Sequence, residues 1–93
     1  MAAYIVTYDL HQTGQNYECI KKKLETIPKH WHMQGSVWVI ETEQTAVQLR
    51  DSLLSCLDSN DNLLVALLAG EAAWRGFKDN GSKWLKTLLS AYV

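Results

Sequence analysis

Apolar residues along this chain recur with two different periods, and the changes between them predict its elements. Tyr4-Ile5-Val6-Thr7-Tyr8 is β-branched and aromatic and runs into Asp9 and the polar stretch His11-Gln12-Thr13-Gly14, which predicts a first strand followed by a loop. From Gln15 to Ile27 the apolar positions Tyr17, Ile20, Leu24 and Ile27 recur at helical spacing until Pro28 blocks continuation, so an amphipathic helix is expected. Two β-prone runs follow, His30-Trp31-His32-Met33 and Ser36-Val37-Trp38-Val39-Ile40, and Gln34-Gly35 between them suits a hairpin turn. Beyond Thr42, Ala46, Val47, Leu49, Leu53, Leu54 and Leu57 keep a helical period up to the turn-forming Asp58-Ser59-Asn60-Asp61. Leu63 to Ala69 is apolar throughout. Its composition suits a helix as well, but so short a run between Asn62 and Gly70 reads better as a buried strand. Glu71 to Gly81 reads as irregular, and Ser82 is expected to cap a short last helix carrying Trp84, Leu85, Leu88 and Leu89.

The resulting order, β-α-β-β-α-β with a C-terminal helical tail, predicts an α+β, ferredoxin-like domain with an antiparallel sheet, its core at 3–69 and its tail at 70–93. Two helices then cover one sheet face and leave the other bare. Four tryptophans and four tyrosines are more than one small core usually takes, so some are expected to pack against a second copy, and a homodimer is predicted.

With 93 residues there is room for one core, and 47% apolar residues with one proline place the chain among globular proteins that fold without a cofactor. No run approaches the ~20 apolar residues of a membrane span, and no basic region precedes an apolar one at the N-terminus, so no membrane partner and a cytoplasmic location are expected. Cys19 and Cys56 are too few and too far apart for a disulfide scaffold and read as reduced thiols. The alternative is a nucleophilic Cys paired with His11, His30 or His32. A net charge of -1 argues against constitutive, non-specific binding of phosphate backbones. The charge is uneven, however. Lys21, Lys22, Lys23 and Lys29, with His30 and His32, form a candidate nucleic-acid surface; the competing reading is a solvated helix face.

Tyr8-Asp9-Leu10 at the end of the first strand and Gln34-Gly35-Ser36-Val37-Trp38 at the hairpin resemble the CRISPR-associated protein 2 family over about residues 3–69. Trp31-His32, the Asp58-Ser59-Asn60-Asp61 turn, Glu71-Ala72-Ala73-Trp74 and Ser82-Lys83-Trp84-Leu85 look similar to the family's stand-alone, SinR-like relatives. The resemblance implies a small dimeric ferredoxin-like protein. In the family the aspartate matching Asp9 is associated with a divalent metal used in phosphodiester cleavage by some members, while others are non-catalytic scaffolds. Asp9 and Ser36 are therefore the candidate catalytic pair, Asp9 holding Mg²⁺ or Mn²⁺ and Ser36 lying near the phosphate.

One carboxylate per chain makes a poor Mg²⁺ site, but a two-fold axis near the first strand would bring two copies of Asp9 together. Strand alternation is compatible: Tyr4, Val6 and Tyr8 suit the helix-covered face, leaving Thr7 and Asp9 on the open one. Equally, Asp9 can simply end the strand and bond within its own loop. His30 and His32 share a strand face and can ligate metal or transfer protons, but without a third ligand they read better as exposed neighbours of a core-facing Trp31. Trp74, Phe77 and Trp84 can stack bases or touch a partner chain, and the second is preferred.

Two functions follow. One is a metal-dependent endonuclease of the CRISPR-associated protein 2 type acting on RNA or DNA. The other, toward which the lack of a dense basic patch, the lack of a second acidic motif and an aromatic tail able to close the sheet all tilt, is a non-catalytic dimeric module that binds RNA, a nucleotide or a protein, such as a defence, phage counter-defence or antitoxin-like protein.

Overall fold

The computed structural model describes residues 2–11, 17–77 and 80–92, with side chains of the last helix up to Leu89. The chain is α+β. Its elements are β1 (Ala2–Asp9), α1 (Tyr17–Glu25), β2 (Lys29–Gln34), β3 (Val37–Thr42), α2 (Ala46–Leu53) continued by a 3₁₀ turn (Leu54–Cys56), β4 (Asn62–Leu67) and α3 (Asn80–Tyr92). Four strands form one antiparallel sheet in the order β2-β3-β1-β4, an arrangement compatible with the ferredoxin-like pattern. The expected loop at Gln12-Thr13-Gly14 and the expected helix start at Gln15 lie outside the described residues.

Local chemistry accounts for the element ends. Glu18 stands in the first turn of α1 and Lys22 and Lys23 in its last, each sign complementing the helix dipole. Gly35 takes φ 38° in the β2–β3 turn, the left-handed region that only a residue without Cβ enters at no steric cost. The N-terminus of α2 carries a capping box that Thr45-x-x-Gln48 spells out in the sequence: the Gln48 N–H donates to Thr45 Oγ1 at 3.1 Å, and the Thr45 N–H donates to Gln48 Oε1 at 2.9 Å.

One sheet face carries the expected core. Tyr4, Val6, Tyr8, Trp38 and Ile40 from the central strands are buried against Ile20 and Leu24 of α1 and Leu49 and Leu53 of α2. Within this layer Cys19 and Cys56 are joined in a disulfide, which corrects the reading of both as reduced thiols. Their 37-residue separation carries no pairing signal, because only the packing of α1 beside the 3₁₀ turn brings the two Cα atoms to 5.6 Å. A link closing a loop of that size constrains the unfolded chain by ~2–4 kcal/mol.

The opposite face is not bare, and this is the main correction to the expected architecture. Ala3, Trp31 and Val39 are buried there against Leu85, Leu88 and Leu89 of α3, with Trp74, Phe77 and Trp84 packed around them. The aromatic surplus assigned to a partner chain is thus absorbed within the chain itself. Phe77 meets Trp31 edge-on at 5.5 Å, and Trp74 Nε1–H donates to Ser82 Oγ at 2.7 Å. Ser82 is therefore a buried acceptor inside α3 and not its cap; the helix begins earlier, at Asn80, and is longer than expected. Gly81 lies directly against the Trp31 indole, where any Cβ would collide with the ring.

Strand β4 is also corrected in part. It is a strand as expected, but it sits at the sheet edge, and Leu64 and Leu67 remain 56% and 59% exposed. A continuous apolar run signals two covered faces, whereas here Leu67 on one face and Leu64 on the other are both left open.

Gly81→Ala is expected to destabilise the protein. A helix gains up to ~1 kcal/mol from alanine in place of glycine, whereas forcing a methyl group into the packed Trp31 contact costs ~1–3 kcal/mol. Chemical denaturation should show a net loss; an unchanged or raised midpoint would mean that α3 does not rest on Trp31.

Candidate functional site

Asp9 is the last residue of β1, exposed, and paired in register with Asn62 at the start of β4. Its neighbour Tyr8 donates its main-chain N–H to the Ser36 carbonyl at 3.3 Å, so Asp9 and Ser36 lie at the same end of the sheet. Thr7, Tyr8, Asp9, Asn62, Leu63 and Leu64 line a shallow depression there. Among the described residues no three His, Cys, Asp or Glu side chains converge as metal ligands.

The better-organised acidic residue at this end is Asp61, part of the Asp58-Ser59-Asn60-Asp61 turn. Its Oδ1 accepts the His11 N–H at 2.9 Å and its Oδ2 accepts the Asp58 N–H at 2.8 Å, while Asn62 Nδ2 donates to His11 Nε2 at 3.1 Å. These contacts tie the exit of β1 to the entry of β4. The hydrogen bonds from the Asp58 and then the His11 main chain favour the ionised carboxyl and hold it below its usual range. Asp58-x-x-Asp61 is the sequence signal, a turn closed by its own side chain.

His30 and His32 both stand exposed on β2, as expected, while Trp31 is buried on the opposite side beneath α3. The His32 ring stacks on Trp38 with centroids 4.0 Å apart and planes 5° from parallel, and the His30 ring lies 5.9 Å from the same indole. His30 Nδ1 contacts the Ile27 carbonyl and His32 Nε2 the Gly35 carbonyl, both at 2.6 Å. A carbonyl only accepts, so in each ring that nitrogen carries a hydrogen and donates. The two histidines thereby roof the outer side of Trp38, whose Nε1–H donates to Tyr8 Oη at 3.1 Å. Burial pushes the Tyr8 phenol above its ordinary pKa, against the opposing pull of that hydrogen bond.

The candidate basic surface is divided. Lys23 Nζ donates to the Ser52 carbonyl at 2.9 Å and to Ser55 Oγ at 2.7 Å, which commits it to holding α1 on α2. Lys29 pairs with Glu41 across the β2–β3 ladder at 3.4 Å. Lys21 is half-buried and Lys22 exposed. Two of the four lysines thus do intramolecular work that a run of cations in sequence does not reveal.

Comparison with protein-family models, with curated proteins and with solved structures gives no match.

Two outcomes follow from this geometry. Because the Asp61 carboxyl is depressed in the folded state, its contribution is present above the ordinary carboxylate pKa near 3.8 and is lost as pH falls through the lower folded value. Asp61→Ala should therefore narrow the stability gap to wild type at acid pH and widen it at neutral pH; a gap independent of pH would contradict the two hydrogen bonds. Lys23→Ala should cost about 1 kcal/mol through its lost bonds to α2, whereas Lys22→Ala should stay within ~0.5 kcal/mol, as urea titration of the two variants would show.

Proposed function

We propose that this chain is a non-catalytic, ferredoxin-like binding module that acts as a homodimer and recognises its partner through protein surface, in the manner of a stand-alone relative of the CRISPR-associated protein 2 family. The observation that carries this reading is the burial of α3 on the second sheet face. A paired-carboxylate site needs two copies of Asp9 close enough to share one ion. A helix is about 10 Å across, so two copies stacked through this face stand apart by two helix layers and not by the ~10 Å of directly packed sheets. The exposed carboxylates would then lie far beyond the reach of a shared Mg²⁺ or Mn²⁺.

Electrostatics favours the same reading over a nucleic-acid module. With a net charge of -1 and with Lys23 and Lys29 engaged inside the chain, the candidate basic surface keeps only two of its four lysines to neutralise RNA or DNA phosphates. Exposed apolar side chains on β4 and α2 suit a protein surface instead. In the described residues no helix is long and apolar enough to cross a membrane. Residence in the cytoplasm, the location proposed from the sequence, would expose the Cys19–Cys56 bond to reducing conditions, and the complete burial of Cys56 limits access to it.

The endonuclease reading keeps one specific support, the exposed Asp9 at the same end of the sheet as Ser36, whose carbonyl accepts from the neighbouring Tyr8 N–H. Incubating purified wild type and Asp9→Asn with single- and double-stranded RNA and DNA, with Mg²⁺ or Mn²⁺, separates the two. The binding-module reading expects no cleavage that depends on Asp9 and no metal-induced rise in melting temperature. Cleavage by wild type that Asp9→Asn abolishes would return the chain to the enzyme class.

A further inference from the structure

The two edges of the sheet are built differently. Strand β2 is guarded: Lys29, His30 and His32 are exposed on it, Lys29 is ion-paired to Glu41, and a register irregularity between His32 and Gln34 distorts its ladder. Charge and bulges are the usual devices that stop an edge from recruiting another strand. Strand β4, Asn-Leu-Leu-Val-Ala-Leu, has neither charge nor proline, and its register against β1 is regular over its whole length. Among the described residues nothing pairs with its outer side.

The register fixes which main-chain groups face outward. Leu68 N–H donates to the Ala3 carbonyl at 2.9 Å, so Leu68 and Ala3 form a hydrogen-bonded pair. Antiparallel alternation then directs the main-chain groups of Leu64 and Ala66 toward β1 and those of Leu63, Val65 and Leu67 away from it. These three residues are spaced symmetrically about Val65.

We infer that β4 pairs with β4 of a second copy, antiparallel about a two-fold axis at Val65, joining two sheets into one; the inference rests on the dimeric reading above and names its surface. In this register Val65 faces Val65 and Leu63 faces Leu67 of the other copy, so every outward N–H and C=O of the three residues finds a partner. The side chains are self-complementary as well. Leu63, Val65 and Leu67 lie on the α2 side of the sheet, where Leu63 shares a hollow with Arg50, Leu54, Leu57, Asp58, Ser59 and Asp61. Leu54 of the 3₁₀ turn, which lines this hollow beside the start of the strand, is 51% exposed, and Leu67, at the strand's end, is 59% exposed. The two-fold operator exchanges the ends, so Leu67 of each copy enters the hollow beside Leu54 of the other. Val47, 55% exposed on the same side of α2, lies near the axis and extends the apolar contact. A foreign strand would fit the main chain equally, but it would have no reason to carry a leucine at the place that this hollow requires.

The test uses the full oxidised chain. Sedimentation at micromolar concentration should give twice the 10.6 kDa chain mass for wild type. Leu67→Glu sets a carboxylate against Asp58 and Asp61 of the other copy and should raise the dimer Kd at least ~100-fold, with circular dichroism and melting of the monomer unchanged because Leu67 is largely exposed there. Leu67→Lys, meeting the same two aspartates, should raise it at least ~10-fold less. Val65→Cys should cross-link to itself through a short bismaleimide, since residues facing each other in such a pair stand ~5.5 Å apart. A wild-type dimer that Leu67→Glu leaves intact and Val65→Cys does not cross-link would overturn the edge pairing while the dimeric reading stands. A wild-type monomer, including one whose β4 amides become protected only when another protein is added, would overturn both.

Discussion

The contact on which this structure depends is the seating of α3 against the Trp31 face of the sheet. Gly81 gives the helix an unobstructed approach to the indole, Trp74 and Ser82 fasten the preceding segment by a hydrogen bond, and Leu85, Leu88 and Leu89 close over Ala3 and Val39. Without this layer a small domain would present one whole face of its sheet to water, including Trp31, Ile5 and Val39. With it, the sheet is clad on both sides, and the first core and the second are separated only by the thickness of the strands. Alternation along β1 serves both: Tyr4, Val6 and Tyr8 point to α1 and α2, while Ala3 and Ile5 point to α3.

Closing the second face redirects every functional expectation. The face on which two copies of Asp9 were expected to meet carries α3, Trp74 and Trp84 pack partly buried around its core, and the large exposed apolar side chains among the described residues are Leu64 and Leu67 of β4, Val47 of α2, Leu54 of the 3₁₀ turn and Tyr17 of α1. At the end of the sheet the ordered carboxylate is Asp61, fixed by two main-chain donors, and not the exposed Asp9. That arrangement is architectural: it fastens the exit of β1 to the entry of β4.

Strand and helix identities were legible in the sequence because periodicity reports burial directly, and here each predicted element exists. The register of Tyr4, Val6 and Tyr8 toward the helices was equally legible. What was hidden depends on tertiary placement. The run Leu63 to Ala69 carries no sign that β4 is an edge, since apolar residues that stay exposed look the same in the sequence as those that are buried. Cys19 and Cys56 meet only because α1 lies beside the 3₁₀ turn, and Lys23 reaches α2 for the same reason. Glycine at position 81 looked like a loop residue because it precedes Ser82, the expected helix cap, whereas its reason is the indole it faces. The Thr45-x-x-Gln48 box that starts α2 is a local signal that the periodicity of the apolar residues does not contain.

The central claim is that α3 covers the sheet of its own chain. Nuclear magnetic resonance tests it most directly through Gly81, whose α protons should be shifted upfield by the Trp31 ring and should show cross-relaxation with its protons. In a sample mixed from labelled and unlabelled chains, that cross-relaxation should remain within a single chain. Unshifted Gly81 protons, or a Trp31 contact found only between chains, would contradict the account and reopen the second face of the sheet.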